Sequence, residues 1–229
     1  MKFSIFVTPA IPGTFEERKA KRPIGRDNEA FQRMVDDLRS IAVTMDQSGF
    51  EALTMSEHHF HSEGLEASVA PMLLYADLAA RTERLKFGTL GLVLPTWDPI
   101  RAAEEVAVLD HLLRGRLYVG VARGYQSRWA GVLGQHFDVS AATSDSSDSD
   151  VKNQEVFEEV LKIMKMAWTQ DTVRYRSELL DYNIPNPYEG VAWPPAQWTE
   201  EYGAPGEMGE DGLLKAVCVI PKPYQTPHP

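Results

Sequence analysis

Four side chains able to move protons or to hold a metal ion fall in one short stretch: Glu57, His58, His59 and His61. They follow the apolar run Ala52-Leu53-Thr54-Met55. A buried strand that ends in an acid and imidazoles points to a pocket. In alternating strand–helix proteins the C-terminal ends of parallel strands are where chemistry is placed. An imidazole with an ordinary pKa of about 6.5 suits general acid–base work at neutral pH. The competing reading of His58 is a histidine merely hydrogen-bonded at a strand end. A metal site is the rival for the whole cluster, but neighbouring residues in an extended strand point to opposite faces, so His58 and His59 cannot easily share an ion. The HExxH spacing is also absent, and no metal is expected.

Two further places bear on ligand binding. Leu90-Gly91 lies within a long apolar run, where a glycine marks a bulge or the close approach of a ligand, or else loose packing against a helix. Arg123-Gly124-Tyr125 follows another apolar run; a guanidinium grips phosphate oxygens in pairs and a glycine admits close backbone approach. A solvent-facing loop arginine is the alternative.

The elements that must position these residues alternate. Strands are expected over residues 2–7, 51–55, 85–94 and 116–121, with helices over residues 28–48, 67–81 and 100–113. Phe31, Met34, Val35, Leu38, Ile41, Ala42 and Met45 make one apolar stripe at helical spacing. The near-continuous apolar run 85–94 fits a strand covered on both faces. Such alternation means parallel strands with right-handed crossovers. No GxGxxG opens the first helix, so a (β/α) barrel is expected rather than a dinucleotide-binding sheet.

Beyond this the pattern loosens. The basic patch 18–22 reads as a solvated loop, residues 140–150 as a mobile, low-complexity acidic loop, and residues 184–212 as an irregular insertion. Between them, Val156, Val160, Ile163, Met164, Ala167 and Trp168 mark a helix, and residues 171–182 a short hairpin arm. Four or five parallel strands cannot close an eight-strand barrel. The expectation is therefore a single incomplete barrel domain over residues 1–229, the N-terminal half to two-thirds of a (β/α)8 TIM-barrel fold, truncated or split from a longer protein.

The chain has 33 acidic against 23 basic residues, net charge -10, which argues against nucleic acid or an anionic membrane as partner. One cysteine, Cys218, fits a reducing cytoplasm, and no apolar run reaches the roughly 20 residues of a membrane span.

Four motifs, in order, resemble the luciferase-like flavin-dependent monooxygenase superfamily: residues 57–60 (Glu-His-His-Phe), 87–96, 104–110 and 115–124. The resemblance implies that His58 lies over a flavin and takes part in proton transfer. It implies that Leu90-Gly91 forms a cis peptide or bulge beneath the flavin ring, and that Arg123, with Gly124 and Tyr125, faces the phosphate or ribityl chain. It also implies reduced FMN supplied by a separate flavin reductase, dioxygen and a small organic substrate such as an aldehyde or other carbonyl compound, and a homodimer. Two other functions stay open on the same fold: a non-catalytic remnant or partner subunit, and a deazaflavin-dependent dehydrogenase.

Overall fold

The computed structural model describes residues 1–229. The chain forms two compact units, residues 1–93 with 109–122 and 229, and residues 94–108 with 123–228.

The first unit is a four-stranded parallel sheet with its helices. It begins with β1 (Ser4–Val7), a short helix α1 (Phe15–Ala20) and the long α2 (Asn28–Gln47). Then come β2 (Ala52–Met55), α3 (Pro71–Ala79) and β3 (Lys86–Val93). Helix α4 (Pro99–Leu113), whose residues up to Val108 belong to the second unit, leads in sequence to β4 (Leu117–Ala122). The strand order is β1-β2-β3-β4, all pairs parallel, each strand beside its predecessor. A helix joins each strand to the next, and that order is the one a (β/α) barrel uses. The fold is accordingly part of a TIM-type barrel.

The apolar stripe expected in α2 is the buried one: Ala30, Met34, Leu38, Ala42 and Met45 all lie in the core. Strand β2 is buried along its whole length. Tyr75 on α3 is fully buried, and its hydroxyl accepts the Met55 N–H at 2.6 Å and donates to the Gly88 carbonyl at 2.6 Å. One phenol thus bridges β2 and β3. Asp46 accepts the backbone N–H groups of Glu83, Arg84 and Leu85, fixing the turn that enters β3. Arg116 reaches the carbonyls of Ala79, Leu85 and Leu113 and so gathers three chain segments below β4.

Two local expectations need correction. The segment expected as a helix from residue 67 begins at Pro71, because proline has no N–H to donate and is preorganised for a first turn. The basic patch is not simply a solvated loop. Thr14 and Glu17 form a capping box that starts α1, and Arg18 donates to the carbonyls of Ile11 (2.5 Å) and Glu63 (2.9 Å).

The second unit contains α5 (Ser127–Leu133) and the long α6 (Asp148–Thr169). The expected apolar side of α6 is its buried side, and Trp168 donates to the Ala103 carbonyl at 2.9 Å. Strand β5 (Tyr175–Arg176) pairs antiparallel with β6 (Asn183–Ile184), giving the expected hairpin arm. Strand β7 (Val191–Ala192), helix α7 (Ala196–Tyr202) and strand β8 (Leu213–Leu214) follow, with β7 antiparallel to β8. Within residues 184–212 some regular structure therefore exists: α7 starts directly after Pro195. No helix is long and apolar enough to cross a membrane.

Candidate functional site

His58 sits just past the C-terminal end of β2 and is buried, 8% exposed. Its backbone N–H donates to the Ser68 carbonyl at 3.3 Å. Its Nδ1 lies 3.2 Å from the Ser56 hydroxyl and 3.7 Å from Oε2 of Glu66. Burial holds the imidazole below its ordinary pKa, because the charged form loses water; Glu66 opposes that shift and His61 adds to it. At neutral pH His58 is therefore an uncharged proton acceptor.

The preceding residue has a different task. Glu57 is 3% exposed; its Oε2 accepts the Val93 N–H at 2.7 Å, and its Oε1 lies 3.0 Å from Nε2 of His59. That carboxylate ties the end of β2 to the end of β3. Past the strand end, Glu57 engages His59, two residues on, while His58 faces Glu66. His61 completes the group, with Nε2 3.3 Å from Oε2 of Glu66 and its ring centroid 5.8 Å from that of His58. No set of three or more acidic, histidine or cysteine side chains is arranged to hold a metal ion.

The Leu90–Gly91 peptide is cis, and the register between β3 and β4 shifts between Thr89 and Leu92. Leu90 is 55% exposed, whereas Thr89 and Leu92 are buried. The irregularity therefore turns one apolar side chain outward. A Cβ on Gly91 would lie 2.8 Å from the Val121 carbonyl carbon. The glycine is thus required by the backbone of β4, and loose packing against a helix does not account for it.

In the second unit, Arg123 is held from within. Its Nε donates to Oδ1 of Asn153 at 2.9 Å, and its Nη2 donates to the Asp150 carbonyl at 2.7 Å and to Oδ1 of Asp150 at 2.5 Å. Asp150 also accepts backbone N–H groups from Thr143, Ser144 and Ser146; the Ser144 bond leads the influences that keep its carboxyl below the usual range. Asn153 Nδ2 donates in turn to the carbonyls of Arg123 and Ser140. The serine-rich acidic segment is therefore wound around one carboxylate, and its last residues, from Asp148, belong to α6. Gly124 has φ of +78°, a conformation that favours glycine, and Tyr125 is exposed.

The residues present suit a flavin ring. An outward Leu90 at a strand irregularity offers an apolar platform, and His58 offers an imidazole at the neighbouring strand end. In the second unit, two guanidinium nitrogens of Arg123 already have acceptors. Sequence reasoning missed Glu66, Asp150 and Asn153. Glu66 carries no motif, and Asp150 was hidden in a low-complexity run.

A family described as luciferase-like monooxygenase matches residues 1–199. The alkanal monooxygenase alpha chain of Photobacterium leiognathi is 30% identical over 118 residues, covering 52% of this chain and 33% of that protein. The oxygenase component of a flavin-dependent trigonelline monooxygenase from Acinetobacter baylyi is 34% identical over 101 residues, 44% of this chain and 28% of that protein. Among solved structures, monooxygenase RslO1 from Streptomyces bottropensis superposes with a TM-score of 0.67 at 20% identity, over 100% of this chain and 52% of that one, a likeness of fold. The matched region thus spans about a third of those curated relatives and half of that solved structure. With 199 of its residues matched in sequence and its parallel strands in barrel order, the chain belongs to the luciferase-like monooxygenase family.

Proposed function

We propose that this chain carries the flavin-facing part of a monooxygenase that uses reduced FMN and dioxygen to oxygenate a small organic substrate, an aldehyde or other carbonyl compound. The observation that carries the reading is the buried His58 just past the end of β2, whose neighbour Glu57 latches onto Val93 at the end of β3, the strand within which Leu90 is exposed. The names of the relatives support the reaction class: one is an alkanal monooxygenase and the other a flavin-dependent oxygenase component. The word component supports a separate flavin reductase as partner. A homodimer and a cytoplasmic location are part of the same proposal.

Bound reduced flavin would supply the electrons that activate dioxygen. His58 takes or returns a proton at the substrate or cofactor. Leu90 and Gly91 would form an apolar surface for the ring and help to keep water from it. Arg123, Gly124 and Tyr125 are assigned to the phosphate or ribityl chain, with Asp150 and Asn153 fixing the guanidinium in one orientation.

The test is oxygen consumption by this chain with chemically reduced FMN and a panel of aldehydes and ketones. His58→Ala is expected to lower turnover by about 100-fold or more while leaving flavin affinity largely intact. Unaltered turnover would remove His58 from the chemistry. Substrate oxidation without oxygen uptake, using a reducible deazaflavin, would replace the monooxygenase reading by a dehydrogenase. A second reading, a flavin-free partner subunit of the same fold, is favoured by one observation: Arg123 is engaged by Asp150 and Asn153.

A further inference from the structure

The loops after β1 and β2 enclose a cleft of about 350 Å³ within the first unit. Ile11, Phe31, Phe60 and Val69 give it apolar walls, while His61, Glu66 and Arg26 supply polar groups. Its walls are built, not draped. Ile11 donates to the Gly64 carbonyl at 2.7 Å, Ala67 to the Pro9 carbonyl at 2.7 Å, and Gly25 to the Ser62 carbonyl at 2.9 Å. Glu66 has φ of +47°, a conformation that non-glycine residues rarely adopt outside sites that require it.

One carboxylate oxygen, Oε2 of Glu66, faces two imidazoles: Nδ1 of His58 at 3.7 Å and Nε2 of His61 at 3.3 Å. The three groups grade outward. The side chain of His58 is 10% exposed, that of His61 13% and that of Glu66 29%. We propose that Glu66 is a positioning residue that holds the proton-bearing edge of His58 and passes its proton, through His61, to water in the cleft. The inference rests on the catalytic reading of His58.

The step changes only N–H and O–H bonds. At 3.7 Å the His58–Glu66 pair is outside hydrogen-bond reach, and Nδ1 rests 3.2 Å from the Ser56 hydroxyl, so the transfer requires the Glu66 side chain to close to about 3 Å. A proton then leaves Nδ1 of His58 for the Glu66 carboxylate and moves to Nε2 of His61; His61 returns to neutral by giving up a proton to cleft water. His58 is left uncharged with both carboxylate oxygens of Glu66 again free of the proton. The arrangement suits a reaction that must stay dry, because the proton leaves towards the loops after β1 and β2. A carboxylate that faces two imidazoles lets the charge on one be felt at the other. His59 and Glu57 also act on His58 and contact each other, and Glu63 lies 4.0 Å from Nδ1 of His61.

The experiment is an NMR pH titration of the imidazole carbon-bound protons in the flavin-free chain, wild type against Glu66→Gln and Glu63→Gln, so its outcome does not depend on activity. Glu66→Gln is expected to move the His58 titration to lower pH and to remove its inflection at the His61 titration, while Glu63→Gln leaves His58 unmoved. In turnover, Glu66→Gln is expected to lower kcat about tenfold with little change in KM. An unchanged His58 titration in Glu66→Gln, or an equal displacement in Glu63→Gln, overturns the relay. If the titrations behave as stated but His58→Ala turns over normally, the relay stands and the catalytic reading fails.

Discussion

Glu57 and His58 are adjacent in sequence and differ completely in use. The carboxylate is consumed by structure, holding the Val93 N–H and His59, and the imidazole is set against a second, more exposed carboxylate. His58 also makes a prediction about stability. A histidine whose folded pKa lies below its unfolded value of about 6.5 takes up a proton on unfolding, so stability rises with pH and its contribution is lost as pH falls below that value. The melting temperature is expected to be level above pH 7 and to decline as pH falls from there towards the folded pKa. His58→Asn is expected to flatten that decline; calorimetric scans across the range check it, and an identical decline in both proteins would contradict the assignment.

At the scale of elements, the sheet depends on single side chains that complete its backbone bonding. Tyr75→Phe leaves the Met55 N–H and the Gly88 carbonyl without their partner in a buried setting, and is expected to cost about 3 kcal/mol in denaturant unfolding. A loss below about 1 kcal/mol would mean that β2 and β3 hold together without the phenol. Gly91→Ala is expected to cost about 2 kcal/mol or more, because the added methyl meets the backbone of β4, which cannot swing aside like a side chain. Chemical denaturation with and without flavin measures both effects. Asp46→Ala should loosen the turn into β3, seen as faster amide exchange at Glu83, Arg84 and Leu85.

For the whole molecule, what could be read from the residues followed periodicity. Helix α2 and the buried strands announced themselves because each buries a regular stripe or run, and the end of β2 announced a site because its composition changes abruptly. The cis peptide and register shift at Leu90–Gly91 came from the resemblance, not from spacing. Helix α1 was masked by its charge, although Thr14 and Glu17 stand at capping-box spacing. Glu66 was not legible, since its meeting with His58 and His61 depends on a left-handed residue in a loop. Asp150 stands in the sequence as one acid among serines, yet backbone N–H groups converge on it. Long-range pairs of this kind leave no period in a sequence.

Under the proposed function these parallel strands and their loops bind flavin. The most direct test is titration of the purified chain with oxidised and reduced FMN, followed by tryptophan fluorescence and by the flavin absorption bands. Micromolar, saturable binding that is weakened in Arg123→Ala and kept in His58→Ala is the expected result. No binding of either redox form by the folded chain would contradict the account and leave the partner-subunit reading in its place.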